Sequence, residues 1–310
     1  MPRLLTIVAF VALLSPAVEL RAETPPEQEE AIKALRGWAS NLQKNRDGTV
    51  RFIRFSKAGV TDEHLAHVPA FKQLDYLAVV TPSVTDEGLK HVAGLTNLDT
   101  LFLSDSSLTD VAMPALKGLA KLERLYLDRT KVTDSGLANI AGLSTLTTLS
   151  LVGTSTTDEG LAHVAKLENL EVLFLSGTEV TDEGLKSLAK LSKLKTLYLD
   201  KTSVSGADFE QLSQLPNLEV LSLRGTSLET GSLGKLSGCK NLNRLLLYET
   251  EVTANDVAPL KEKLTKLIVK LGPSPADSKN AFQRLLAGEE LKGPSTKKSN
   301  QDRKSANDPA

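Results

Sequence analysis

Carboxylates and imidazoles recur along this chain at fixed intervals. Asp62, Asp86, Asp110, Asp134, Asp158 and Asp182 fall 24 residues apart, a regular column of the kind that can ladder calcium. His64 stands three residues before His67, and His67 and His91 are again 24 apart, with Asp62, Glu63 and Glu87 close by. Two imidazoles and a carboxylate can hold zinc, but no fixed ligand spacing completes such a site, and solvated histidines are expected. No nucleophile elbow, phosphate-binding loop or paired catalytic carboxylate accompanies them. Every Asp of the column follows a Thr and leads a helical apolar pattern. The oxygen of the Asp or of the Thr is therefore expected to accept a first-turn N–H of its helix rather than to bind metal. Gly88, Gly136, Gly160 and Gly184 follow two residues later and read as room for close coil packing.

A second set of residues could recognise rather than react. Phe52, Tyr76, Phe102, Tyr126, Phe174, Tyr198, Leu246 and Tyr248 recur with the same spacing, interleaved with Arg54, Arg124, Asp128, Asp200, Arg224 and Arg244. The list contains all four tyrosines of the chain. Aromatic and Arg side chains on an open face are the usual anchors of protein recognition. Stacking across a sheet would explain the rings equally well, but Ser104, Ser150, Ser176 and Ser222 occupy alternating sites of that face, so the face does not require aromatics.

The elements that position these residues follow from the 24-residue period itself. Ile53, Leu77, Leu101, Leu125, Leu149, Leu173, Leu197, Leu221 and Leu245 form one column, and Phe55, Val79, Leu103, Leu127, Leu151, Leu175, Leu199, Leu223 and Leu247 form another two residues later. Period-two alternation puts both columns on one inward face of a short strand, and the residues between and beside them on the other. Leu89, Val92 and Leu95, or Leu185, Leu188 and Leu191, have helical spacing. Each unit is thus a strand followed by a short helix. Neither can bury its apolar face alone, but stacked at about 4.8 Å they share a continuous core. Thr130, Thr154, Thr178, Thr202, Thr226 and Thr250 follow the strands, and their hydroxyls are expected to ladder from coil to coil.

The consensus LxxLxLxxTxVTDxGLxxLAxL over residues 50–271 resembles the leucine-rich repeat family. Its VTDxGL segment, at Val84–Leu89 and Val180–Leu185, is similar to the cysteine-containing subtype, though each unit is two residues shorter and carries Thr and Leu where that subtype has Cys. Short Thr-type repeats of exported bacterial proteins are the closer likeness. The resemblance implies an α/β leucine-rich repeat solenoid, a horseshoe with a parallel sheet on the concave face and short helices on the convex face. The aromatic and Arg residues of that sheet point to protein or peptide binding, and with no catalytic constellation in the sequence neither enzymatic activity nor a cofactor is expected.

Basic and acidic side chains number 37 and 38, so steering toward nucleic acid is not expected. Leu4–Leu14, after Arg3, is too short to span a bilayer, which needs about 20 residues. It reads as the core of a signal peptide over residues 1–22, making the mature chain exported: periplasmic, cell-surface or extracellular. Residues 23–49 are expected to form a capping helix running to about Gln43, opened by a Thr24/Glu27 capping box and lidding the first repeat with Ile32, Leu35, Trp38, Ala39 and Leu42. Residues 272–292 are expected to close the far end with a short helix, Asp277–Leu286, and 293–310 to be a disordered tail. Near the last unit two registers compete, one kept by Val269 and Leu271, the other by Leu264 and Leu267. Cys239 falls in a Leu column and should be buried.

These readings converge on an exported, monomeric interaction module. Tyr76, Phe102, Arg124, Tyr126, Phe174, Tyr198, Arg224, Arg244 and Tyr248 are the expected contact residues, with Tyr126 and Tyr198 as exposed rings. Binding of a carbohydrate or envelope polymer, and a scaffold role for the basic tail, are the alternatives.

Overall fold

The computed structural model describes residues 24–56 and 58–273. The expected signal peptide, the Asp277–Leu286 helix and the tail lie outside the described residues. Within them, one sheet of 11 strands runs in chain order: β1 (Asn41–Lys44), β2 (Val50–Phe55), β3 (Tyr76–Val79), β4 (Thr100–Phe102), β5 (Arg124–Tyr126), β6 (Thr148–Ser150), β7 (Val172–Phe174), β8 (Thr196–Tyr198), β9 (Val220–Ser222), β10 (Arg244–Tyr248) and β11 (Ile268–Gly272). From β2 onward neighbours are parallel, and each pairing joins residues 24 apart, such as Leu101 with Leu125. The two inward Leu columns are buried in a single core with the helical Leu and Val residues and Cys239. Identical spacing is what keeps them there, since a slip of one residue would turn every Leu outward.

The convex returns are short helices: α1 (Pro26–Leu35) before the sheet, then α2 (Asp62–Leu65), α3 (Asp86–Leu89), α4 (Asp134–Ile140), α5 (Asp158–Val164), α6 (Asp182–Leu188) and α7 (Ala254–Lys263), with 3-10 turns at Asp110–Leu116, Phe209–Gln214 and Ser232–Gly238. The Thr caps its own helix in several units, as Thr85 does by accepting the Glu87 N–H. The Asp column does something else. Each carboxylate reaches forward one coil: Asp62 accepts the N–H and the hydroxyl of Thr85 at 2.8 and 2.6 Å. Asp86, Asp110, Asp134 and Asp158 do the same for Thr109, Thr133, Thr157 and Thr181, and Asp182 for Ser205. These charge-assisted bonds tie coil to coil. They also explain the glycines, because a Cβ on Gly88, Gly136, Gly160 or Gly184 would overlap the Asp Oδ1 of the preceding coil.

The ends of the ladder are consistent with this account. In the first coil His64 stands in the Gly column, and its Nδ1 accepts the Thr61 N–H at 3.1 Å. In the last, Asp256 takes that place and accepts from the N–H and hydroxyl of Thr253 at 2.8 and 2.6 Å. The expected coil-to-coil Thr ladder is not formed. Thr130, Thr154, Thr178, Thr202, Thr226 and Thr250 each donate to a carbonyl three residues back in the same coil, closing the turn after the strand locally.

The N-terminal cap differs from the expectation. α1 stops at Leu35, its N-cap is Pro25 without a side-chain bond, and Thr24 instead accepts from Lys44 Nζ. Asn41–Lys44, expected as helix, pairs antiparallel with β2. A strand of Asn, Leu, Gln and Lys is a polar edge that discourages further pairing. Buried Gln28 supplies the acceptor for the Val50 N–H at 2.9 Å, so α1 finishes what β1 leaves unpaired. Trp38, placed on the expected helical stripe, lies beyond α1 with its ring 4.2 Å from that of His64. At the other end the 24-residue register is the one formed, and the register shortened by two is not. β11 keeps the spacing of 24, pairing Leu245 with Val269 and Leu247 with Leu271, while Leu264 and Leu267 are buried just before it.

Candidate functional site

The outward side chains of the sheet form three columns. The first runs Phe52, Tyr76, Thr100, Arg124, Thr148, Val172, Thr196, Val220, Arg244; the middle one runs Arg54, Ala78, Phe102, Tyr126, Ser150, Phe174, Tyr198, Ser222, Leu246. Two residues further on, beyond the strand ends except at Tyr248 in β10, a third follows: Val80, Ser104, Asp128, Val152, Ser176, Asp200, Arg224 and Tyr248. All nine expected contact residues therefore share one face.

They are not equally available. Strands about 4.8 Å apart bring rings of successive coils into stacking distance: Phe102 lies 4.0 Å from Tyr126 at 3° between planes, and Phe174 lies 4.8 Å from Tyr198 at 19°. Phe52 and Tyr76 extend the first stack, at 4.1 Å from each other and 5.5 Å from Tyr76 to Phe102. Phe102, Tyr126 and Phe174 are buried, whereas Tyr76, Tyr198 and Tyr248 are half-buried. Tyr126, expected as an exposed ring, is 1% exposed, and burial pushes its phenol well above the ordinary value.

The arginines are engaged with neighbouring coils. Arg124 donates to Thr100 Oγ1 at 2.7 Å and Asp99 Oδ1 at 3.0 Å, and Arg224 Nη2 to Glu249 Oε1 at 2.6 Å. That pairing raises the Arg224 pKa and lowers that of Glu249. Arg244 is exposed. At the rim, Asp105, Arg129, Lys201 and Glu249 adopt φ between 53° and 61°, the left-handed turn that Gly153, Gly177 and Gly225 make in sister coils.

The strongest electrostatic feature lies in the third column. Asp128 is 0% exposed. Its carboxylate accepts from Ser104 Oγ at 2.9 Å, from Ser150 Oγ, and from the Val152 N–H at 3.1 Å. Burial outweighs these three bonds and pushes its pKa from 3.8 up to about 6. Asp200 repeats the arrangement with Ser222 Oγ and the Arg224 N–H at 3.0 Å. Its pKa is also raised by burial, against the opposing effects of Ser222 and Arg224.

Ser104, Ser150 and Ser222, which in the sequence mark only sites without aromatics, are the hydroxyl donors of these clamps. The signal that exposes them is a second period of 72 residues: LFLS, LYLD and LSL at 101–104, 125–128 and 149–151 recur at 173–176, 197–200 and 221–223. No cluster of His, Cys, Asp and Glu able to hold a metal occurs among the described residues. Cys239 is buried, its thiol pushed up to about 12 by desolvation.

A family model described as "Leucine-rich repeat region" matches residues 49–267. No curated protein matches the chain in sequence. Among solved structures, the chain is similar to internalin C2 from Listeria monocytogenes, at 26% identity over 79% of this chain and 92% of that one, with a TM-score of 0.49. It is also similar to an internalin (inlF) from the same organism, at 18% identity over 86% and 93%, with a TM-score of 0.42. TLR13, solved as a complex with ssRNA13, shares the fold at 23% identity over 72% of this chain and 32% of its own, with a TM-score of 0.54.

Proposed function

The chain belongs to the leucine-rich repeat family, and on that premise we propose that it is an exported, non-enzymatic interaction module whose concave sheet binds a protein or peptide. One observation carries the reading. The outward columns hold rings, Arg side chains and buried carboxylates at positions where Ala78, Val80 and Val152 serve neighbouring coils, and a buried carboxylate is a cost to stability that the sheet itself does not require. Tyr76, Arg124, Tyr198, Arg224, Arg244 and Tyr248 are the accessible contacts of this reading; Phe102, Tyr126 and Phe174 support them from below. Protein is favoured over carbohydrate because the ring faces are turned on each other in stacked pairs, leaving little flat surface for a sugar ring.

Export rests on Arg3 and the Leu4–Leu14 core ahead of Ala22, and no described helix is long and apolar enough to cross a membrane. Expression in an exporting host followed by N-terminal sequencing should find the mature chain starting near Glu23; Met1 retained in the cytoplasm would remove this part. Binding is tested by capturing partners from that host's envelope and surroundings on the full chain. Arg244→Ala and Tyr198→Ala should each weaken a captured partner by about 2 kcal/mol, while Lys186→Ala on the convex side should have almost no effect. Retention on a glycan array, or by the tail alone, would refute the concave protein-binding reading.

A further inference from the structure

The two 72-residue copies of the concave module differ in an instructive way. In the middle and third columns Phe102, Tyr126, Ser150, Ser104 and Asp128 recur as Phe174, Tyr198, Ser222, Ser176 and Asp200, and the single change is Val152 to Arg224. The first column shares nothing: Thr100, Arg124 and Thr148 against Val172, Thr196 and Val220. The convex returns diverge as well, TDSGLANIAGL at 133–143 standing against SGADFEQLSQL at 205–215. Likeness is thus concentrated in the part of the sheet that holds the clamped carboxylate.

The copies also differ in access. Ser104 and Asp128 are buried whereas their counterparts Ser176 and Asp200 are half-buried; Ser150 and Ser222 are both buried, and Val152 and Arg224 are both half-buried. The added residue brings an unsatisfied group: Arg224 Nε is buried with no hydrogen-bond partner, although Nη2 is engaged by Glu249. Beside it the Asp200 carboxylate is held by the Ser222 and Ser176 hydroxyls and the Arg224 backbone N–H, all neutral donors, and feels the charge of the Arg224 side chain. A recessed donor and a recessed acceptor on adjacent coils define the ligand by exclusion. A carboxylate reaching Arg224 would meet Asp200, and an ammonium or guanidinium reaching Asp200 would meet Arg224. A neutral group that both accepts and donates suits the pair.

We propose that Asp200 and Arg224 form a subsite for the side-chain carboxamide of an Asn or Gln on the protein partner, its oxygen accepting from Arg224 and its NH2 donating to Asp200. A side chain rather than a backbone amide is assigned because Asp200 and Arg224 are both half-buried and Arg224 Nε is wholly so, where a projecting group reaches further than a main chain. This deepens the protein-binding reading and rests on it. Arg224→Val restores the residue of the sister coil, so the variant has a precedent for folding in this same sheet.

The test pans a random dodecapeptide display library on the immobilised full chain, then measures the enriched peptides by titration against wild type, Arg224→Val and Asp200→Asn. Enrichment of Asn or Gln at one fixed position is expected. Changing that residue to Ala or Asp should weaken binding tenfold or more, and so should each protein variant, with thermal midpoints within a few degrees of wild type. A fixed Asp or Glu, or a fixed Lys or Arg, would overturn the assignment in favour of an ion-reading site. Peptides sensitive to Arg224→Val but indifferent to every side chain would overturn it in favour of backbone recognition. Binders unaffected by both variants overturn the subsite while leaving concave binding intact, and a library that enriches nothing overturns both.

Discussion

Replacing Asp128 by Asn isolates the cost of the buried carboxylate. The carboxyl pKa stands at about 6 in the folded chain against an ordinary 3.8, so between those values the folded state holds a proton that the unfolded state releases. Folding stability from this group is therefore greatest below pH 4, falls as pH rises toward 6, and is flat above that. A rise from 3.8 to about 6 is worth about 3 kcal/mol. Asn imitates the protonated carboxyl at every pH: its oxygen can accept from Ser150 and the Val152 N–H, and its NH2 can donate to Ser104 once that hydroxyl turns. At pH 8 the variant should be more stable than wild type by up to about 3 kcal/mol, and at pH 4 the two should coincide. Urea unfolding followed by circular dichroism from pH 4 to 8 reads both numbers. A variant less stable than wild type at pH 8, or one whose pH slope matches wild type, would refute the reasoning.

Other consequences of the packing are as direct. Gly160→Ala drives a methyl into the Asp134 carboxylate and should cost about 1 to 3 kcal/mol, whereas Gly142→Ala, with nothing within 4 Å, should change the unfolding midpoint hardly at all. Tyr126→Ala should destabilise by about 3 to 5 kcal/mol, as should Leu173→Ala by about 2 to 5, because both side chains are fully buried; an unchanged midpoint would contradict the stacking and the register respectively. Cys239, with its thiol pushed up to about 12, should resist a thiol reagent at pH 8 until the chain unfolds, and stoichiometric labelling of native protein would show the residue to be reachable.

What the sequence makes legible is set by what repeats. Inward Leu columns recur every 24 residues without insertion, so strand register, core and Cys239 burial can be placed from pattern alone. The caps cannot, because each occurs once: Asn41–Lys44 carries no strand signal of its own, and its state is decided by the exposed edge of β2. Of the two oxygens that could cap each helix, the Thr hydroxyl does so in its own coil at Thr85, Thr109, Thr157 and Thr181, while the Asp carboxylate bonds the Thr of the next coil. Capping rules describe bonds within one helix, while in a solenoid the nearest unsatisfied N–H for Asp62 is that of Thr85, 23 residues on. The hydroxyls of the Thr column that follows the strands go the other way, finding a carbonyl three residues back closer than any neighbour coil.

The concave face obeys a different period from the fold, one of 72 residues that a single 24-residue column does not display. A 24-residue repeat constrains only residues that face the core or the adjacent coil, and it leaves the outward columns unconstrained. Three of those units taken together carry the Phe–Tyr stack and the Ser–Asp–Ser clamp, and the set occurs twice. Burying a carboxylate in one coil of three, where Val serves the same column in another, runs against stability, as the raised Asp128 pKa registers. The clamp does join three successive coils, but the Asp ladder on the convex side already does so at six junctions. What the concave carboxylates add is therefore position: two polar points held still among stacked rings. One, Asp128, is buried, and the other, Asp200, is half-buried beside the single arginine that distinguishes it.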